Sequence, residues 1–520
     1  MSITVRNISV TPLELLKVEH FEGEAAPIAD QGIAALLVDL LRLPYNLITG
    51  NKDANGTGLV AKSGSQPSAT DAVEGVRIGP FETHRTEIKT PDAGHEVLRL
   101  TFKAEFDGGA AHRIFTADIP AASARSIELK PVEGGSDGPE SDAAKNAAFT
   151  VVYTPGSSHL AILSSASLAK WMSTIDGSWP VSSLSLPGTH NSPAYHYALP
   201  SVRCQAVDVR TQLDNGVRFL DVRVSVSPPA QPHTDPRIGL VHSVFPVGLF
   251  GLHYFQELYV AVCGFLDANP SETVLISIKK EGTGKGNDAD LANQLINHYT
   301  GKADDGAQRP QGALPPYDGK AESWRWYTEP KIPTLNEARG RIVLVRRFGL
   351  PDEENFKSLN GGRGWGVDGS SWPDNCEDGT CGTGLLRLQD YYDVAQTTAI
   401  ATKINYVHGL LAKSACENYC KVNGDVNANA SGPTPPMYIN FLTGSNFFNA
   451  RCWPENVAAR VNPSVVEYLC VRHGEAGEGQ QAAVGAGSTG VVVTDWVGYR
   501  GDWDLIRCVV AWNARLQLRQ

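Results

Sequence analysis

Two histidines, His190 and His242, close the runs SLSLPGTH and RIGLVHS, whose interiors are mostly leucine, isoleucine or valine. Other apolar runs downstream end in groups of the same kind: Asp221 with Arg223 in VRFLDVRV, Lys279 in TVLISIKKE, Arg347 in RIVLVRRF, Asp390 in LLRLQDYY and Asp495 in GVVVTDWV. Two imidazoles, a few carboxylates and a guanidinium, without a dense acidic cluster, suit cleavage of a phosphodiester by general acid and base catalysis. One imidazole takes the proton of an attacking hydroxyl while the other gives a proton to the leaving oxygen, and histidine does both near neutral pH. Arginine offers a planar fork to the phosphoryl oxygens as charge moves onto them. Such an assembly needs no metal.

Each residue also has a plain structural reading. A histidine after a strand can be a turn residue bonded to backbone. Asp221 and Arg223, two apart, share one strand face and could be a structural ion pair. Lys279, with Lys280 and Glu281, and the pair Arg346 and Arg347 could be solvated strand ends, and Asp390 and Asp495 could cap helices. The argument for chemistry is recurrence: the same placement in run after run.

That placement implies the elements that carry it. Eight apolar runs (the seven above and MYINFLTG) fall downstream of SLAKWMSTIDGSWPV, mostly followed by helical or loop-rich segments. This spacing predicts a β/α barrel, in which the carboxyl ends of the strands converge on one face and bring distant residues together. Residues 1–165 differ: EVLRLTFKAEF, AHRIFTADI, RSIELKPV and AAFTVVYT are short strand-like runs between turn residues, which predicts a β-rich, sandwich-like domain before the barrel of residues 166–520. NKDANGTGLVAKSGSQPSAT and VEGGSDGPESDAAKN read as exposed loops within it, and GEAGEGQ and VGAGSTG as a flexible loop near residues 474–490.

Bulk properties narrow the partners. Apolar residues at 42% and charged residues at 19% suit a soluble globular chain. The formal net charge of -11 argues against a nucleic-acid partner. The longest apolar stretch, residues 32–48, carries Asp39 and Arg42 and breaks at Pro44, so it reads as a core helix and no segment reads as transmembrane. The amino terminus lacks a secretory pattern, so the expectation is a cytoplasmic or peripheral membrane protein, with other routes of export left open. Nine cysteines, with close pairs at Cys376/Cys381 and Cys416/Cys420, read as disulfides or buried thiols before a zinc site.

The order LPGTHNS, QLDNGVRFLDVRV, LVHS, NPSETVLISIKKE, ARGRIVLVRRF, SWPDN, LQDYY, YINF and VVTDWV, from about Trp171 onward, resembles the bacterial-type phosphatidylinositol-specific phospholipases C of the X-domain phosphodiesterase superfamily. The resemblance implies a distorted TIM-type barrel that cleaves phosphatidylinositol to diacylglycerol and cyclic inositol 1,2-phosphate. It implies His190 as the base on the inositol 2-hydroxyl, His242 as the acid on the departing diacylglycerol oxygen, Asp495 as the carboxylate orienting His190, Arg223 as the phosphoryl stabiliser and Asp221 as its neighbour. Lys279, Arg347 and Asp390 would bond inositol hydroxyls, with Tyr392 against the ring. Eukaryotic relatives place a calcium-binding carboxylate where Arg223 stands, so neither calcium nor any cofactor is expected. Many bacterial members carry Asp where this chain has Asn191, which implies slower turnover or an altered pH profile. Alternatives are a non-catalytic binder of inositol phosphates or phosphoinositides, an enzyme for glycosylphosphatidylinositol anchors, and a calcium-dependent phosphodiesterase. The expected partner is an inositol phospholipid at a membrane interface; Phe447, Phe448 and Trp453, and HSVFPVGLFGLHYF, read either as packing on a neighbouring helix or as entering that interface.

Overall fold

The computed structural model describes residues 1–25, 59–92, 95–120, 126–132, 141–165, 167–227, 237–301, 322–417, 434–474 and 487–518. The chain divides into two compact units, Met1–Ala166 with Val466–His473, and Ser167–Val465 with Gly474–Gln520.

In the larger unit nine strands are labelled, β1 (Leu186–Thr189), β2 (Phe219–Ser225), β3 (Gly239–His242), β4 (Val274–Lys280), β5 (Ile342–Arg347), β6 (Val367–Asp368), β7 (Leu386–Gln389), β8 (Met437–Phe441) and β9 (Val491–Thr494); Phe245–Pro246, Trp326–Tyr327 and Gly379–Cys381, antiparallel to β7, are further strands among the described residues. All the labelled strands but β3 run parallel in the order β6, β5, β4, β2, β1, β9, β8, β7. Helices stand between them, among them Phe255–Ala268, Ala399–Glu417 and Pro454–Val471. A parallel sheet covered by helices needs strands that are apolar throughout, and the β4 residues Val274, Leu275, Ile276 and Ile278 are all fully buried.

Two expectations change. The run RIGLVHS is not a barrel strand: β3 pairs antiparallel with the end of β2 and then with Phe245–Pro246. The segment before it, SPPAQPHTDP, carries four prolines and suits no crossover helix, so the chain returns as a hairpin. The eighth parallel position, beside β5, is shared by Trp326–Tyr327 and by β6, two residues between Gly366 and Gly369, and no apolar run announced either. Among the described residues no ladder joins β6 to β7, so the sheet curls without closing. A two-residue strand already paired with β5 has little backbone left to offer another neighbour. The result is a mixed α/β unit around a curled sheet.

The smaller unit holds two sheets. One has Ser2–Ile8 parallel to His159–Ser164 and antiparallel to Thr83–Lys89, with Phe149–Thr154 and Ser126–Glu128 beyond. The other pairs Leu13–Ala25 with Glu96–Phe106, Ala69–Ile78 and Leu59–Ala61, and continues to Ala111–Pro120 and Lys130–Pro131. Ile3, Val5, Leu160 and Ile162 from the first and Leu15, Leu100, Phe102 and Phe115 from the second share one apolar core. The segments read as loops contribute regular structure here: Leu59–Ala61 and the start of Ala69–Ile78 are strands, and Asp142–Asn146 is a short helix capped by Ser141. The core helix read over residues 32–48, and most of the Gly-rich stretch 474–490, lie outside the described residues. Among the described residues no helix is long and apolar enough to cross a membrane. Cys376, Cys381 and Cys416 are free thiols, and Cys420 lies outside the described residues.

Candidate active site

The registry of the sheet explains why its polar ends meet. Thr189 of β1 is the partner of Thr494 of β9, so His190 and Asp495, each one residue further on, leave the sheet side by side. His190 Nδ1 lies 2.8 Å from Asp495 Oδ1. Arg223 of β2 is the partner of Lys279 of β4, which is in turn the partner of Arg347 of β5, so three cations form one row on one face. Asp221, two residues before Arg223, accepts from Arg223 Nε at 3.1 Å and from Arg347 Nη1 at 3.1 Å.

His242 arrives on the hairpin end of β3. Its ring meets that of His190 edge-on, with centroids 5.3 Å apart and planes at 78°. His242 Nδ1 lies 2.9 Å from Val202 O and 3.6 Å from Cys204 Sγ. Asn191 has φ +37°, a left-handed position that Asn tolerates better than most residues. Its backbone N–H donates to Asp221 Oδ2 at 3.1 Å and its side-chain amide to Val241 O at 2.9 Å, which ties the turn after β1 to the residue before His242.

Arg347 stacks on Trp372, with its guanidinium carbon 3.7 Å from the ring centroid, and its Nη2 lies 3.7 Å from Asp390 Oδ2. Trp372 Nε1 donates to the same Asp390 oxygen at 3.0 Å. Arg346 points the other way, to Asp368 at 2.9 Å and Trp365 O at 3.0 Å, and takes no part. Tyr392 is 43% exposed and its hydroxyl donates to Asp374 Oδ1 at 2.7 Å, which places it at the rim. The cap reading of Asp390 and Asp495 gives way to these contacts.

Several site residues escaped the sequence reading. Glu281 accepts from Arg223 Nη1 at 3.1 Å, from Lys279 Nζ at 2.7 Å and from Ser243 N at 3.0 Å. The signal was present, because Glu281 follows Lys279 by two and shares its face. Gln205 donates to His190 O and Thr494 O, fixing both strand ends. Lys403, buried on Ala399–Glu417, donates to Gln389 Oε1 at 2.9 Å. Nothing in the spacing of a helix singles out such a lysine.

The electrostatics follow from burial among fixed charges. Burial, reinforced by Arg223, pushes His190 well below the ordinary histidine range and His242 down to about 4, so both imidazoles are neutral in the unliganded site at neutral pH. Burial raises Asp495 and, against the pull of Arg347 and Lys403, Asp390. It would raise Asp221 and Glu281 too, but Arg223 with Arg347 lowers Asp221, and Arg223 with Lys279 brings Glu281 to about 2. Lys403 falls to about 7 through burial. An Nδ1–H of His190 directed at Asp495 leaves Nε2 with a free lone pair, the state a general base requires.

No family model matches the chain. Among curated proteins it is 26% identical over 359 residues to the 1-phosphatidylinositol phosphodiesterase of Staphylococcus aureus (strain Newman), an alignment spanning 66% of this chain and 93% of that one. The protein of the same name from Listeria monocytogenes is 25% identical over 190 residues, 35% of this chain and 50% of that one. The chain is a relative of the bacterial 1-phosphatidylinositol phosphodiesterases. Solved structures similar to it include a phosphatidylinositol-specific phospholipase C from Staphylococcus aureus with incorporated pentafluoro-Phe, at TM-score 0.47 and 23% identity over 66% of this chain and 97% of that chain. Another is the phosphatidylinositol-specific phospholipase C from Listeria monocytogenes, at TM-score 0.40 and 16% identity over 67% of this chain and 99% of that chain.

Proposed function

We propose that this chain is a phosphatidylinositol-specific phospholipase C that forms diacylglycerol and cyclic inositol 1,2-phosphate without a metal. The observation that carries the reading is the pair of edge-on imidazoles 5.3 Å apart, one backed by a carboxylate, beside a guanidinium held between two carboxylates. His190 Nε2 takes the proton of the inositol 2-hydroxyl, whose oxygen attacks phosphorus. Asp495 orients the ring and stabilises the imidazolium. Arg223, held firmly charged by Asp221 and Glu281 against the effect of burial, stabilises the phosphoryl oxygens. His242 protonates the diacylglycerol oxygen as its bond to phosphorus breaks. A group at about 4 in the empty site carries little proton at neutral pH, and the phosphodiester anion is what raises it on binding.

Lys279, Arg347, Asp390 and the rim residue Tyr392 supply donors and acceptors for inositol hydroxyls. In this reading residues 166–520 are a distorted β/α barrel opened between β6 and β7, and residues 1–165 a sandwich-like domain without an assigned role. Phe448 at 94% exposure and Phe250 at 81% suit a lipid surface, and Phe447 stacks on Phe245 with centroids 6.0 Å apart. The test is turnover of phosphatidylinositol in mixed micelles by His190→Ala and His242→Ala. Each variant is expected to lose about 10²–10⁴-fold in rate with its circular dichroism unchanged. Wild-type rates in either would remove these roles.

A further inference from the structure

Cys204 is a fully buried thiol that the proposed reaction does not use, and it stands against both imidazoles. One donor atom each from His190, Cys204 and His242 lies within 4.8 Å of the others. We propose that these three side chains capture Zn²⁺, or a similar thiol-seeking divalent ion, and that the captured ion switches the active site off.

The geometry suits a tetrahedral ion. Zinc bonds of about 2.3 Å to sulfur and about 2.0–2.1 Å to nitrogen set two such ligands about 3.6 Å apart. Cys204 Sγ and His242 Nδ1 are 3.6 Å apart. The ring planes of His190 and His242 cross at 78°, so their in-plane lone pairs can converge on one point. Asp495 behind His190 Nδ1 leaves Nε2 as the ligand and provides the outer carboxylate that metal-bound histidines commonly have.

The only other such group among the described residues lacks this property. His196 and His253, beside Glu257, lie flat on one another with centroids 3.5 Å apart and planes at 13°, so their lone pairs run parallel. The backbone also holds Cys204 in place: its N–H donates to Ala194 O at 2.9 Å, and its carbonyl accepts from Trp496 N at 2.8 Å.

Capture exchanges one bond for others. His242 Nδ1 gives up Val202 O for the ion as the ring takes the Nε2–H tautomer, and the Cys204 thiol releases its proton to solvent as the S–Zn bond forms. Burial, with Asp495, Asp221 and Glu281 outweighing Arg223, pushes the Cys204 thiol well above its ordinary range, so its proton leaves only as the metal bond replaces it. The fourth position stays open to water. With the His190 lone pair committed no base remains for the reaction, and the metal-bound His242 keeps only a ring N–H, a far weaker acid than the imidazolium the reaction needs. That inhibitory consequence rests on the proposed function; the binding does not.

The experiment is titration of the reduced full-length protein with Co²⁺, read by the thiolate-to-cobalt charge-transfer band, then displacement by Zn²⁺. A saturable band with tetrahedral intensity is expected, lost in Cys204→Ser and in Cys204→Ala and kept in His253→Ala. Zn²⁺ affinity should fall about 100-fold or more without the thiol, beyond the about 10–100-fold cost of removing an outer partner. In parallel, zinc inhibition of phosphatidylinositol turnover, scaled to each variant's own rate in EDTA, should shift by the same factor. Absence of the band, or its survival in both Cys204 variants with native circular dichroism, overturns the site. A band without zinc inhibition of an active protein overturns the switch. If turnover proves absent altogether, the proposed function fails and the band alone decides the site.

Discussion

Arg218, immediately before β2, and Arg223, near its end, are both arginines beside buried carboxylates, and they are built differently. Arg218 reaches Glu272 through Nε at 3.0 Å and Nη2 at 2.8 Å, and donates to the carbonyls of Leu213, Val217, Leu168 and Ala169. Phe265 covers it at 4.6 Å. At the opposite end, Arg347 Nε, Asn191 Oδ1, Ser277 Oγ and Asp495 Oδ2 are buried with no hydrogen-bond partner. Buried polar atoms are ordinarily satisfied, and these four lie among the side chains of the candidate site, where a polar ligand could meet them. In the proposed function the closed cluster holds the fold and the open one receives substrate.

Breaking the closed cluster should cost the most. Arg218→Ala leaves Glu272 charged and buried, and urea unfolding is expected to show a loss of about 3–5 kcal/mol. Arg223→Ala should act chiefly on turnover, which falls by about 10²–10³-fold, with a smaller loss on unfolding, because Arg347 still donates to Asp221 and Lys279 still pairs with Glu281. A large stability loss in the second variant would erase the distinction between the two ends. At the rim, Phe448→Ser removes a ring already in water, so it should leave unfolding unchanged and weaken binding to phosphatidylinositol vesicles by about 1.5 kcal/mol, about tenfold.

The smallest expected effect separates the site from the β-rich unit by pH. His242 in the site and His159 in the β-rich unit are both pushed down to about 4, chiefly by burial. A histidine depressed in the folded state takes up protons more readily when unfolded, so its contribution is complete above about pH 6.5 and is lost as pH falls toward about 4. Each contributes at most about 1.4 kcal/mol per pH unit across that window. Thermal unfolding between pH 7 and pH 5 should show this slope, reduced in His159→Gln and in His242→Gln. A slope left unchanged in either variant would contradict the contribution of that histidine.

Most of the site was legible because it lies at strand ends, where an apolar run that stops at a charged residue is visible in one dimension. His190, Asp221, Arg223, His242, Lys279, Arg347, Asp390 and Asp495 were read this way. Registry then does in three dimensions what the runs did in one. The hairpin character of β3 was hidden because GLVH has the same composition whether it pairs parallel or antiparallel, and only the prolines before it carried a hint. The strand β6 was hidden because two residues make no pattern. Trp372, Lys403 and Cys204 come from loops and a helix, where proximity to the site leaves no periodic trace.

The most direct measurement is phosphorus NMR of the purified protein with phosphatidylinositol micelles in excess EDTA. The account predicts the signal of the five-membered cyclic inositol phosphodiester, formed at a rate that added calcium does not increase. Phosphatidylinositol left intact under these conditions, or cleaved only when calcium is restored, would contradict it.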